Sequence, residues 1–289
     1  MFRWNPDRVL AVGLRLCAAG AAAIVLLIAA FVVVESWPAL RHLGIGRFVT
    51  DPSWHPTARA AQGTFDLLPM VWGTLWATAG AVLLATPLGV LSALFVHHYA
   101  ARLAARVYRR MIELLAGIPS VVYGFWGLVV LVPLIRALYP PGPSLLAGIL
   151  ILTLMILPTI ALMADAAIAA VPAAQLRAAA ALGLSRGRTV VGVVLPAARS
   201  GLLTGVVLGT GRAIGETMAV LMVCGNVVQT PDSLFDPVRT LAANIALEMA
   251  YALGDHRSAL FVSGLVLLAL IAALTAIAAH LRPQAVAHA

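Results

Sequence analysis

Long apolar runs, broken by short polar stretches that carry the arginines, set the pattern of this chain. A helix crossing a bilayer needs about 20 mostly apolar residues, each adding about 1.5 Å. Six runs meet that length: 14–34, 70–96, 114–135, 145–164, 202–223 and 259–279. Arg15 stands at the edge of the first, and the second and third are uncharged. The fifth alone carries charges in its interior, Arg212 and Glu216. With no water to satisfy the backbone, each run must form its own helix. The predicted class is all-α: a polytopic membrane protein of six transmembrane helices. An N-terminal segment 1–13, an outer loop 35–69, a core 70–280 and a C-terminal segment 281–289 follow from these bounds. Inside the core, a long loop 165–200 joins spans four and five, and a second outer loop covers 224–258. The Pro- and Trp-bearing loop 35–69 suits short helices on the membrane surface. In the first run the apolar stretch 18–34 exceeds a signal-peptide core, and no A-x-A site follows, so it reads as an uncleaved anchor.

Composition narrows the class. Apolar residues make up 62% of the 289 and charged residues 10%, where soluble domains average roughly 45–50% and about 25%. A soluble globule and a disordered chain are both excluded. Cys17 and Cys224 fall in separate apolar runs, with no CxxC or Cys/His cluster, so neither a disulfide nor a metal site is expected.

The net charge of +8 is resolved by its distribution. All 19 basic residues are Arg. Twelve lie on one side of the spans: Arg3, Arg8, Arg15, Arg102, Arg106, Arg109, Arg110, Arg177, Arg186, Arg188, Arg199 and Arg282. Six lie on the other: Arg41, Arg47, Arg59, Arg136, Arg239 and Arg257. Three acids face the twelve and seven face the six, giving +9 against −1. The positive side is cytoplasmic, which places both termini of a multi-pass protein in the cytoplasm. The charge thus marks topology within membrane lipid and calls for no nucleic acid.

Arg212 and Glu216 are four apart, which puts them on one face of a continuous helix. Arg212 falls about midway through a core roughly 30 Å thick. A charge there costs roughly 2.5–3.5 kcal/mol, and Arg before Glu is the weaker order for a helix pair. A salt bridge to neighbouring helices is the structural reading. The functional reading is a polar path for an ionic solute. Because Arg keeps its proton and offers a planar fork of donors, the solute would be phosphate- or carboxylate-like. Gly205, Gly209, Gly211 and Gly215 allow close approach, to a helix or to the solute.

Loop 165–200 contains an Ala run from Ala178, then Gly183 to end that helix, then a second short helix stopped before Pro196. A helix-turn-helix knob of this kind suits docking by a soluble partner. The spacing Ala178-Ala179, Gly183, Leu195-Pro196 resembles the EAA loop of permease subunits of binding-protein-dependent ABC importers, except that Arg177 stands where the family has an acid. Two longer stretches resemble the phosphate-importer permeases: Met111-Ile-Glu113-Leu-Leu-Ala-Gly-Ile-Pro119-Ser120-Val-Val-Tyr123-Gly124-Phe-Trp126-Gly127, and Gly211-Arg212-Ala-Ile-Gly215-Glu216-Thr217-Met218. The second is more similar to the PstC branch than to PstA.

The resemblance implies a type I ABC importer permease-like bundle in the bacterial cytoplasmic (inner) membrane, translocating inorganic phosphate. Ala178, Ala179, Gly183, Leu195 and Pro196 would couple it to an ATPase, and Arg212 and Glu216 would line the substrate path. It also implies four partners: a PstA-like second permease, a PstB-like ATPase dimer, a PstS-like periplasmic phosphate-binding protein and the membrane. ATP and Mg would belong to the ATPase, since this chain has no GxxxxGK[ST] motif, binds no cofactor itself and has no enzymatic site. Another oxyanion such as molybdate or sulfate is the near alternative, and a self-contained secondary transporter the distant one. His97, His98 and the arginines at 102–110 read as inner-face anchoring, with Glu113 and Asp165 pairing to nearby Arg.

Overall fold

The computed structural model describes residues 6–57 and 63–281. Arg3, Arg59, Arg282 and the C-terminal segment beyond 281 lie outside them. In chain order the helices and strands are α1 (Pro6–Leu43), α2 (Arg47–Thr50), β1 (Trp54–His55), β2 (Thr64–Phe65), α3 (Leu68–His98) and α4 (Arg102–Ala116). Then come α5 (Ser120–Trp126), α6 (Val132–Leu138), α7 (Leu145–Ala169), α8 (Ala173–Ala181), α9 (Arg186–Thr189) and α10 (Leu195–Ile214). Last are α11 (Met218–Val223), α12 (Leu241–Glu248) and α13 (Asp255–Leu281). Among the described residues six helical stretches are long and apolar enough to cross a membrane: Leu10–Leu43, Leu68–His98, Ser120–Leu138, Leu145–Ala169, Arg186–Ile214 and Asp255–His280.

Helix α7 is the axis of the bundle. Ile151, Leu152, Ile156 and Ile160 on it are essentially inaccessible. Small residues bring its neighbours close. On α10, Gly201, Gly205 and Gly209 recur every four residues and face Ala167, Met163 and Ile160 of α7. On α3, Gly80 and Gly89 meet Ile149 and Ile160. In lipid, where apolar contact with neighbours gives little hydrophobic gain, such backbone approach is what holds helices together. Helix α1 lies along α13, with Phe31 edge-on to Phe261 at 5.7 Å. Ion pairs His42–Asp255 (2.9 Å) and Glu35–Arg257 (3.4 Å) join the same two helices.

The third and fifth spans each contain a five-residue π-helical stretch just before a proline: Gly127–Leu131 before Pro133, and Val190–Val194 before Pro196. A proline ring collides with the carbonyl four residues back and has no N–H to offer it. Widening the preceding turn removes the collision and keeps the helix running. This overturns the expected stop before Pro196: the helix continues from Arg186 to Ile214.

Three other boundaries differ from the sequence pattern. The third span starts at Ser120, not at 114, because Pro119 bars the α conformation at Ile118 and separates a cationic helix, α4, from an apolar one, α5. The first helix reaches Leu43, so the loop expected at 35–69 is shorter and holds α2 and an antiparallel pair, Trp54 with Phe65 and His55 with Thr64. The fifth span is interrupted: α10 ends at Ile214 and α11 starts at Met218.

Candidate functional site

The interruption falls between Arg212 and Glu216, so they do not form the helix-face pair that their spacing suggests. Arg212 is exposed in the isolated subunit, and its Nη1 donates a long bond, 3.5 Å, to Thr159 Oγ1. Among the described residues it has no ion pair. Glu216 instead accepts from the Ala219 N–H at 3.0 Å and caps α11, where a carboxylate also suits the helix dipole. Thr217 Oγ1 donates to the Gly215 carbonyl, within the break. Thr159 is the fifteenth of the 25 residues of α7, so Arg212 sits about 21 Å from one end of that helix and about 15 Å from the other. A charge that costs free energy at this depth is held there without a carboxylate. The four glycines Gly205, Gly209, Gly211 and Gly215 divide in two. Gly205 and Gly209 pack on α7, while a Cβ on Gly211 would meet nothing within 4 Å and one on Gly215 only the Gly211 carbonyl.

The two signature stretches meet. A Cβ on Gly124 would stand 2.8 Å from Ala219 Cα, so α5 and α11 lie backbone to backbone. Gly127 packs against the side chains of Ile151 and Val223. Tyr123 is buried and its hydroxyl donates to the Leu115 carbonyl at 2.8 Å. Tyr123 thereby spans the Gly117–Pro119 break between α4 and α5. The helices that start after the two breaks, α5 and α11, thus lie side by side, an arrangement that sequence spacing could not show.

The knob in loop 165–200 is built from α8, a tight turn and α9. Gly183 has φ +70°. Its N–H bonds Ala180 O, and the Leu184 N–H bonds Ala179 O, the paired closure of a Schellman motif, which favours glycine at the left-handed position. Ser185 Oγ then accepts from the Arg188 N–H and starts the next helix. Of the five residues singled out, Ala178, Gly183 and Pro196 are exposed, Leu195 is half-buried and Ala179 is buried in its own chain. Ala179 packs the knob together, and Leu182, four-fifths exposed, is the apolar side chain at its tip.

Two polar clusters flank the bundle. At the Arg-rich end, Asp165 accepts from Arg109 Nε at 3.2 Å and lies 2.8 Å from His97 Nε2, tying α3, α4 and α7 just before the knob. Glu113, expected to pair likewise, forms no ion pair among the described residues. At the opposite end the sequence reading missed Glu248. Its carboxylate accepts from Trp54 Nε1 (2.9 Å) and Arg239 Nη1 (2.6 Å), and contacts His256 Nε2 (2.9 Å). Four segments meet on that one acid beside a cavity of about 590 Å³. A lone acid in the apolar run Ile245-Ala-Leu-Glu248-Met was the available signal.

A family model described as "Binding-protein-dependent transport system inner membrane component" matches residues 85–286. A probable ABC transporter permease protein of Bacillus subtilis, YqgH, is 42% identical over 76% of this chain and 72% of its own. The phosphate transport system permease protein PstC of Mesorhizobium japonicum is 36% identical over 85% of this chain and 80% of its own. A solved bacterial ABC transporter involved in alginate import superposes with a TM-score of 0.64, at 12% identity, over 96% of this chain and 98% of that one. The MetNI methionine ABC transporter superposes with a TM-score of 0.56 over 74% and 94%. The fold is therefore that of a type I ABC importer permease, and the chain belongs to the binding-protein-dependent transport system inner membrane component family.

Proposed function

We propose that this chain is one permease subunit of an ABC importer that carries inorganic phosphate into the cell. The PstC relatives supply the substrate class, and one geometric observation carries the mechanism. Arg212 stands at a helix break half-way along α7, exposed and without a carboxylate partner among the described residues. A guanidinium in that state offers its planar fork to a phosphate oxygen pair. Glu216 already occupies the Ala219 amide, so the anion is left to Arg212, with the Thr159 hydroxyl beside it. A related permease would close the path from the exposed side. ATP bound by two partner ATPase subunits would move the α8–α9 knob, and a periplasmic binding protein would deliver the anion. The Arg asymmetry supports an orientation with both termini and the knob in the cytoplasm.

The test is radiolabelled phosphate uptake normalised to assembled complex. Arg212→Gln removes a charged hydrogen-bond donor, a loss of about 1.5–3 kcal/mol, so uptake should fall roughly tenfold to a hundredfold. Arg212→Lys keeps charge but not the fork and should fall between parent and Gln. Near-parental uptake in Arg212→Gln would overturn the role of this residue. Competition by sulfate or molybdate, equal to that by unlabelled phosphate, would instead favour the broader oxyanion reading. The self-contained secondary transporter has no support from the family or its relatives.

A further inference from the structure

Helix α4 has three faces, and one of them anchors it to the bundle. Its anchored face holds buried Ile112 and the Arg109–Asp165 pair. A second face carries Arg102, Arg106, Arg110 and Glu113, at steps of four, four and three, along a groove of about 380 Å³. The third carries Leu103, Val107, Met111 and Leu114 at the same steps, one residue on, each between 51% and 68% exposed. One residue is about 100° of helix rotation, so a cationic stripe and an apolar stripe run side by side along all of α4. Among the described residues Arg102, Arg106 and Arg110 have no ion pair.

We infer that α4 starts at the membrane boundary and that its arginine groove binds the phosphate of an anionic phospholipid. The chemistry of the groove is that of a phosphoryl anion, and inorganic phosphate shares it. The neighbouring stripe decides for the lipid. Exposed Leu, Val and Met beside arginines match the two ends of one lipid molecule, acyl chain and headgroup, as in amphipathic helices that lie at the membrane boundary. The position fits as well: α4 follows α3 after a three-residue turn, so it starts where that span leaves the bilayer. This inference rests on the membrane fold and needs neither the phosphate assignment nor the orientation, so its failure and theirs are separable.

The experiment titrates the purified full-length chain, in its complex, with phosphatidylglycerol or phosphatidylcholine and counts bound lipid by native mass spectrometry. An arginine near an anionic lipid is worth about fivefold in affinity, so phosphatidylglycerol should bind at least about tenfold more tightly than phosphatidylcholine. The triple change Arg102→Gln, Arg106→Gln, Arg110→Gln leaves Arg109 on Asp165 and should erase that preference. The corresponding triple Lys variant should keep most of it. Equal binding of the two lipids by the parent protein overturns the inference, whatever the variants do. So does a preference that survives the Gln changes. Displacement of the lipid by millimolar inorganic phosphate would show a soluble-anion site instead. Loss of a partner subunit from the Gln variant with lipid preference intact would show a protein-docking face.

Discussion

Gly124 of α5 and Ala219 of α11 touch through their backbones, so closely that a Cβ on the glycine would stand 2.8 Å from the Ala219 Cα. This contact holds two helix starts together, one after Pro119 and one after Glu216. Gly124→Ala forces backbone against backbone, and the strain typical of overpacking is about 1–3 kcal/mol. The expected outcome is a lower melting temperature of the detergent-solubilised complex and reduced uptake. An unchanged melting temperature would mean that α5 and α11 separate without cost.

Arg212 and Glu216 make no bond to each other, so their changes should not compensate. For assembly into the complex, the effects of Arg212→Gln and Glu216→Gln are expected to add to within about 0.5 kcal/mol. Glu216→Gln keeps an acceptor for the Ala219 N–H and should be mild. A double variant that recovers what Arg212→Gln loses would reveal an ion pair between them.

The knob separates a conformational residue from a contact residue. Gly183 at φ +70° resists substitution, because a Cβ in the left-handed region costs roughly 1–2 kcal/mol. Gly183→Ala should therefore lower the thermal stability of the knob. Leu182→Glu alters an exposed tip, so stability should change by no more than about 0.5 kcal/mol, while pull-down of the ATPase subunit falls. Equal recovery of the ATPase from Leu182→Glu and parent would remove Leu182 from the docking face. A bulky side chain at Ala179 would act on the fold of α8 first, since that methyl is buried within the chain.

Glu248 gathers Trp54, Arg239 and His256 onto one carboxylate. Removing one member of a buried ion cluster leaves the others without a partner, at about 3–5 kcal/mol. Glu248→Ala should cost about 3 kcal/mol, near the lower end because Arg239 retains some exposure. Thermal denaturation of the complex is the measurement, and a loss below that from Gly124→Ala would demote the cluster.

Asp66 has a carboxyl whose pKa is raised, chiefly by burial. The Leu68 N–H, which it accepts at 3.0 Å, opposes the rise, and the charge of Asp51 adds to it. The folded state therefore prefers the neutral acid. Its contribution to stability is complete below the ordinary value of 3.8 and is lost as pH rises through and above it. Asp66→Asn keeps an oxygen for the Leu68 amide and removes the charge. It should be more stable than the parent at neutral pH, with the difference closing in acid. A variant less stable than the parent at neutral pH would contradict the direction of the shift.

The class and the six spans were legible because the bilayer imposes a local rule. Each run of about 20 apolar residues must satisfy its own backbone, so its length and composition suffice to find it. The glycine at a helix end and the lone arginine inside an apolar run are equally local, and both stood out in the sequence. The proline rule predicts a stop at Pro196, but a π-helical turn from Val190 to Val194 lets the helix pass. The partners of the charges were not local at all. Arg212 lies 53 residues from Thr159, and Glu248 lies 194 residues from Trp54. Just after the break in the fifth span, Ala219 of α11 meets Gly124 of α5, a contact between segments about ninety-five residues apart. Helical periodicity describes each segment alone, so it paired Arg212 with Glu216. The tertiary structure separates them: α10 ends at Ile214, α11 packs backbone to backbone on α5, and the Glu216 carboxylate accepts from the Ala219 N–H, an amide that the new helix start leaves without an intrahelical partner.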